Sequence, residues 1–374
     1  MKKIRIGVLT GGGDCAGLNP ALKWAVKTAM DERLESERGV RYEVLGIRDG
    51  WKGLVNIDPS VSDTEGRIVP LNPDVVRTWD RYGGTFLGTS RLSPFDPKND
   101  CSKLVMRNIE GLGLDAVVVI GGDGTLAIAT RFFRAGVNVI GIPKTIDKDL
   151  PETDYTLGYD TALNVIVEEV DRLRTTAGSH KRIFVVETMG RTAGWLALQG
   201  GEACGAYIIL IPECDYDSNR VNELVKEGRQ SGTRYEIILV AEGAKRIGGT
   251  EIVKKAGVDS FGHKALGGVG AYLAREIEKG TRMETRHVTL SHLQRGGAPS
   301  AYDRRMGRYF GIAAVDLVVR RNFGKMVCLK NGKITTTPLE KIYGKLNLVD
   351  VATEYDADRY NGRRTILNST RKVT

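Results

Sequence analysis

Val117-Val118-Val119-Ile120-Gly121-Gly122-Asp123-Gly124-Thr125 decides the fold of this 374-residue chain. Four consecutive β-branched apolar residues read as a strand buried on both faces. The strand runs into three glycines set around one carboxylate, and a helix-forming run takes over at Leu126. A turn of that kind leaves bare backbone N–H groups where a phosphate can approach them. Asp123 is then placed to hold Mg2+ beside the anion. The stretch predicts a phosphate site, with phosphoryl transfer as the first chemistry to consider.

Working outward, short apolar segments alternate with helical ones. Strands are expected at 4–10, 43–47, 116–120, 138–142, 183–187, 206–211, 235–241 and 286–291. Helices are expected at 19–31, 102–111, 126–135, 159–176, 218–230, 268–279 and 303–320. Runs that are apolar throughout suit parallel sheets covered by helices on both faces, with ligands at the C-terminal strand ends. The length allows two domains, and a break near 145–158 is expected where Pro151 and several aspartates cluster. The segment from about Lys325 is charged and has no clear period.

Composition narrows the class. Hydrophobic residues make up 41% and charged residues 27%, as in an ordinary globular protein. No apolar run approaches the roughly 20 residues of a membrane span. The N-terminus lacks the features of a signal peptide and reads as a first strand. Five scattered cysteines without CxxC spacing argue against a disulfide framework or a zinc site, so a cytoplasmic location is expected. The net charge of +9 raises nucleic-acid binding as an alternative, but no basic tract carries interleaved aromatics. An anionic metabolite fits better than nucleic acid or a membrane.

Further motifs carry matching chemistry. Thr10-Gly11-Gly12-Gly13-Asp14-Cys15-Ala16-Gly17 links the first strand to a helix and suits close phosphate approach. Pro143-Lys144-Thr145-Ile146-Asp147-Lys148-Asp149 pairs two carboxylates with a hydroxyl and two lysines, the groups a kinase needs to accept a proton and offset phosphate charge. Glu187-Thr188-Met189-Gly190-Arg191 and Glu242-Gly243 end two more strands. Thr285 to Gly297 brings Arg286, His292 and Arg295 to one strand and its turn, a candidate clamp for a phosphate, to which His180 and Arg182 could add.

Together these residues resemble the 6-phosphofructokinase family from about Ile4 to Arg321, with TGGGDCAGLN, GGTFLGTSR, GGDGT, PKTIDKD, ETMGRTAGW, AEGA and SHLQRGG in family order. GGDGT alone is shared with NAD and diacylglycerol kinases. The resemblance implies an α/β fold of two Rossmann-like three-layer domains with mostly parallel sheets and the active site in the cleft between them. It implies a larger donor-binding domain at 1–156 with about 294–344, and a sugar-phosphate domain at 157–293 with about 345–374. Asp147 would be the general base toward the sugar 1-hydroxyl, assisted by Thr145 and Arg191, and Asp123 would hold Mg2+. Gly12, Gly13, Arg91, Gly121, Gly122 and Lys144 would surround the donor phosphates, with Gly124, Thr125 and Trp51 nearer the nucleotide. Thr145, Asp149, Met189, Gly190, Arg191 and Glu242 would orient fructose 6-phosphate. Arg182, Arg286, His292 and Arg295 would hold its phosphate, the first two reaching across in a homo-oligomer, a tetramer or dimer.

Two departures from the family pattern bear on donor and control. ATP users commonly carry glycine at both donor-discriminating positions, whereas pyrophosphate users carry aspartate and lysine; this chain has Gly124 with Lys144. An aspartate at 124 would repel a nucleotide α-phosphate, so its absence favours ATP, with pyrophosphate as the alternative donor. At the effector site of bacterial relatives, Lys23, Lys27 and Arg174 keep positive charge, but Tyr207 and Thr233 stand where a glutamate and a lysine would be.

Overall fold

The computed structural model describes residues 2–60, 66–249 and 266–366. Among these, 2–161 with 295–346 form one compact unit, and 162–249 with 266–294 and 347–366 form another.

The first unit is built on a seven-stranded sheet. Its order is Lys333–Pro338, Lys325–Lys330, Val139–Pro143, Ala116–Gly121, Lys2–Thr10, Val40–Ile47 and Ile68–Leu71. The inner pairings are parallel, and only the two edge strands run antiparallel. Val117, Val118, Val119 and Ile120 are 0% exposed, as a strand covered on both faces requires. Each such side chain contributes about 1.5–3 kcal/mol of gross burial energy. The register decides where function can sit. Thr10 pairs with Ile120, and Gly121 pairs with Pro143. Three loops, beginning at Gly11, Gly122 and Lys144, therefore leave the same edge of the sheet side by side.

Helices Leu18–Ala29 and Ala301–Val319 cross closely in this unit. A Cβ at Gly307 would lie 2.6 Å from Pro20 Cβ, and one at Gly311 would lie 2.7 Å from the Ala21 carbonyl oxygen. The helix expected from 126 begins earlier, as Asp123–Arg134, so Asp123 occupies its first turn. The segment from Lys325, which no period placed, forms the antiparallel pair Lys325–Lys330 and Lys333–Pro338. Asn331 and Gly332, with φ of 51° and 74°, make the two-residue turn between them.

The second unit carries a parallel sheet ordered Thr285–Thr289, Ile183–Thr188, Glu236–Ala241 and Ile208–Leu210. Ala241 pairs with Thr188, and Thr289 with Glu187, so three strand ends again lie in line. The strand expected at 206–211 is shorter than its pattern suggested. Its outer side is covered by a small hairpin, Tyr355–Asp356 with Asn361–Gly362, through a bond from Ile209 N to the Tyr360 carbonyl at 2.7 Å. Helix Tyr159–His180 runs longer than the 159–176 expected and carries the chain from one unit into the other. Among the described residues no helix is long and apolar enough to cross a membrane, and all five cysteines are free thiols.

Candidate active site

In the first unit the glycine motifs converge. Gly11 N donates to the Ile120 carbonyl at 3.0 Å, and Gly12 N donates to the Ser90 carbonyl at 3.0 Å. Thr89 Oγ1 donates to the Gly12 carbonyl at 2.7 Å, which ties the 88–91 turn to the first glycine loop and delivers Arg91, an exposed side chain, beside it. The chain leading into that turn is held by Asn19, whose amide nitrogen donates to the Tyr82 and Gly83 carbonyls at 2.9 and 3.0 Å and whose oxygen accepts from Phe86 N at 3.0 Å. The absence of side chains is a steric requirement here. A Cβ at Gly11 would sit 2.6 Å from Thr125 Cγ2, and one at Gly121 would sit 2.4 Å from the same methyl.

Gly122 caps helix Asp123–Arg134 with no side-chain hydrogen bond at the cap, and a helix N-terminus of that kind suits an anion. Gly122, Asp123 and Gly124 are half-buried, whereas Thr125 is 1% exposed and wedged behind the loop. Lys144 is 2% exposed, and its ammonium donates to the Gly11 carbonyl at 2.9 Å and to the Gly13 carbonyl. The lysine therefore fastens the first glycine loop from beneath and leaves a positive charge under it. Cys15, in the same loop, donates to the Leu157 carbonyl at 3.3 Å, and burial pushes its thiol up to about 12, so it stays protonated.

Thr145, Asp147 and Asp149 follow at the same edge. Asp147 N donates to Thr145 Oγ1 at 3.0 Å, and Thr156 Oγ1 donates to the Thr145 carbonyl at 2.7 Å, fixing this turn from both sides. Asp147 is 4% exposed, and its Oδ1 has no hydrogen-bond partner among the described residues. A buried carboxylate oxygen without a donor is costly, which points to a group reserved for a ligand.

Two expected donor and phosphate residues sit elsewhere than their motifs implied. Trp51, expected near a nucleotide, opens the short helix Trp51–Val55 and is 2% exposed, its ring 4.9 Å from that of Phe132. It is a core residue, placed by packing. Arg295, expected with Arg286 and His292, belongs to the first unit and is 6% exposed. Its Nη1 donates to the Asp14 carbonyl at 3.0 Å, and a Cβ at Gly13 would come within 2.5 Å of that nitrogen. Arg295 thus braces the donor loop.

The second unit carries the acceptor-side residues at two opposite ends of its sheet, Met189, Gly190, Arg191 and Glu242 past the strand ends and Arg182 and Arg286 where the strands begin. Arg191 N donates to Glu242 Oε1 at 3.2 Å, and Glu242 N donates to the Thr188 carbonyl at 2.8 Å. Gly190 at φ 132° and Arg191 at φ 53° form a tight turn that a Cβ at Gly243 would strike 1.9 Å from the Arg191 carbonyl. Gln294 accepts from Met189 N at 2.8 Å and holds the same turn. Arg182 and Arg286 both reach Glu284, and His292 is exposed, its Nδ1 3.1 Å from Ser291 Oγ.

With two glycine-lined strand edges of this make, the chain matches the sequence profile of the phosphofructokinases over residues 5–318. The chain belongs to the phosphofructokinase family. It is 46% identical to a pyrophosphate–fructose 6-phosphate 1-phosphotransferase of Dictyoglomus thermophilum, with 94% of this chain and 97% of that one covered. It is 44% identical to an ATP-dependent 6-phosphofructokinase of Chloroflexus aurantiacus, with 93% of each chain covered. The fold is shared with the crystal structure of a pyrophosphate-dependent phosphofructokinase from Nitrosospira multiformis, at TM-score 0.80 and 19% identity over 96% of this chain and 89% of that one.

Sequence reading of this phosphofructokinase-family chain passed over several supporting residues. Thr89 and Ser90 lie within the GGTFLGTSR motif, from which only Arg91 stood out. Asn19 closes the TGGGDCAGLN motif without standing out in it, and Asp303, which accepts from Tyr155, Gly158 and Thr161, had no motif to mark it.

Proposed function

We propose that the protein transfers a phosphoryl group to the 1-hydroxyl of fructose 6-phosphate in a Mg2+-dependent reaction, giving fructose 1,6-bisphosphate. The observation that carries this reading is the buried, unpartnered Oδ1 of Asp147 at the edge from which the glycine loops leave. A kinase active site needs one carboxylate positioned to accept a hydroxyl proton, and the rest is positioning and charge stabilisation. Asp147 takes the proton of the attacking hydroxyl. Gly12 and Gly13, braced by Arg295 and Lys144, and the helix N-terminus at Asp123 hold the donor phosphates, with Arg91 at the rim. Met189, Gly190, Arg191 and Glu242 orient the sugar, and His292 holds its phosphate together with Arg182 and Arg286, which stand at the other end of the sheet and would serve the site of a neighbouring subunit.

Asp123 suits Mg2+: it offers a hard oxygen at the mouth of a phosphate cradle, and this ion is commonly held by one or two carboxylates plus substrate phosphates. When bound, the ion would offset charge on the donor oxygens.

ATP is the donor we favour, because Gly124 puts no carboxylate in the first helical turn beside Asp123. Pyrophosphate is the second reading. Trp51 is withdrawn into the core, and the buried charge of Lys144 suits a compact diphosphate as well as a nucleotide. Assaying purified protein with fructose 6-phosphate and either ATP or pyrophosphate decides between them. Failure to form fructose 1,6-bisphosphate with either donor would overturn the proposal.

A further inference from the structure

Arg182 and Arg286 stand on neighbouring strands of the second unit, just ahead of Ile183–Thr188 and second in Thr285–Thr289. Register pairs Thr285 with Ile183, so both arginines emerge at the same end of the sheet. Glu284 lies between them. Its backbone carbonyl accepts from Ile183 N at 3.1 Å, which fixes its place. Its Oε2 lies 2.8 Å from Arg182 Nε, and its Oε1 accepts from Arg286 Nη2. The Arg182 guanidinium holds the Glu284 carboxyl below the usual carboxylate range, with Arg286 and His180 acting in the same direction. Glu278 Oε1 stands further off, 4.0 Å from Arg286 Nη1.

Stability is a poor reason for this arrangement. The side chains of Arg182, Glu284 and Arg286 are 26%, 41% and 51% exposed, and solvated ion pairs contribute only about 0–1 kcal/mol. What the carboxylate does instead is aim two guanidinium forks at one point and cancel one of their charges. A phosphate needs the same two forks.

We propose that Glu284 is a positioning residue for the sugar phosphate, an internal anion that pre-aims Arg182 and Arg286 and weakens phosphate binding by the charge it adds to their site. The inference rests on the reading of Arg182 and Arg286 as phosphate ligands. The incoming phosphate shares the guanidinium groups with Glu284 or displaces it, and pays for the repulsion either way. A lone carboxylate about 5–6 Å from the phosphate, at an effective dielectric between that of water and that of a protein surface, changes affinity roughly three- to tenfold.

Glu284→Gln keeps the length and a carbonyl acceptor but removes the charge. Calorimetry on the full chain with inorganic phosphate needs no turnover, so it tests the inference separately from the kinase reading. Glu284→Gln is expected to bind phosphate about three- to tenfold more tightly than the parent. The gap should narrow at high salt, because exposed charges are screened. In turnover assays KM for fructose 6-phosphate should fall by the same factor with kcat within about twofold. Glu284→Asp keeps the charge and is expected to show no tightening. Equal or weaker phosphate binding by the Gln variant overturns the proposal, as does equal tightening by both variants. Absence of any sugar kinase activity in the parent would instead strike the functional reading and leave the phosphate result standing.

Discussion

Asp147→Asn separates catalysis from architecture at one atom. The substitution preserves the side chain's shape and removes its charge. As a positioned base Asp147 should be worth about 10²–10⁴ in rate. At about 1.36 kcal/mol per decade, that is about 2.7–5.4 kcal/mol of barrier. The effect on stability should run the other way. Asp147 is 4% exposed, and Oδ1 accepts no hydrogen bond from the described residues. An oxygen in that state costs about 1–3 kcal/mol in lost hydration, more when charged. Part of that cost is relieved in the neutral amide. For domains of 150–250 residues, 1 kcal/mol moves Tm by roughly 2–4 °C. The Asn variant should therefore melt at or a few degrees above the parent, with kcat down by at least about 100-fold and KM for fructose 6-phosphate nearly unchanged. Steady-state kinetics and scanning calorimetry on the same preparation read both effects. Turnover within about tenfold of the parent would remove Asp147 as the base. A clearly lowered Tm would mean that the carboxylate is a structural acceptor and that the reasoning from its unpartnered oxygen is mistaken.

Asp303, 0% exposed, accepts from Tyr155 Oη, Gly158 N, Thr161 N and Thr161 Oγ1 at 2.7, 2.6, 2.9 and 2.6 Å. Asp303→Ala strands four donors and should cost on the order of 3–4 kcal/mol in urea titration, and a loss under 1 kcal/mol would contradict the assignment. Gly13→Ala places a methyl 2.5 Å from Arg295 Nη1, so the donor's KM should rise at least about tenfold with sugar binding kept; an unaltered donor KM would detach Arg295 from the loop. Burial pushes the Glu236 carboxyl from 4.5 up to about 7, despite Arg229 at 2.9 Å. The folded state then holds this proton more tightly than the unfolded chain does. Its stabilising contribution is complete below about pH 4.5 and is lost as pH rises to about 7. Over that window the parent's Tm should fall relative to Glu236→Gln, and parallel profiles would refute the shift.

What the sequence disclosed follows from how each element is stabilised. Parallel strands covered on both faces must be apolar along their length, so Val117–Ile120 and Ile237–Ala241 announce themselves. Their buried state in the structure is the same physical fact. The pair Lys325–Lys330 and Lys333–Pro338 obeys another rule. It is an antiparallel edge with one exposed strand, four of whose first five residues are charged or threonine, so periodicity carries little information there. Its usable signal was local, the Asn331-Gly332 dipeptide whose left-handed backbone suits a two-residue hairpin turn. The helix after Gly122 was placed three residues late because glycine and aspartate read as loop residues. Asp123 nonetheless stabilises the first turn, where a carboxylate meets the positive end of the helix.

The site was legible to the extent that chemistry and chain position coincide. Glycine loops betray themselves because close backbone approach excludes every other residue, and Gly11 and Gly121 face the same threonine methyl for that reason. Arg295 shows the limit. Three residues after His292 in sequence and basic like it, it suggested one phosphate clamp with Arg286. Yet the turn Ser291–Arg295 ends where the chain passes from the second unit into the first, and its guanidinium bonds to Asp14, 281 residues away along the chain. Charge and proximity along a strand cannot say to which loop a long side chain will turn; only the acceptor geometry at Asp14, and the missing side chain of Gly13, do so. Lys144 follows the same logic. Chosen for its charge, it is fastened to two carbonyls of the first glycine loop, so removing it would loosen that loop for any donor before it altered the choice between donors.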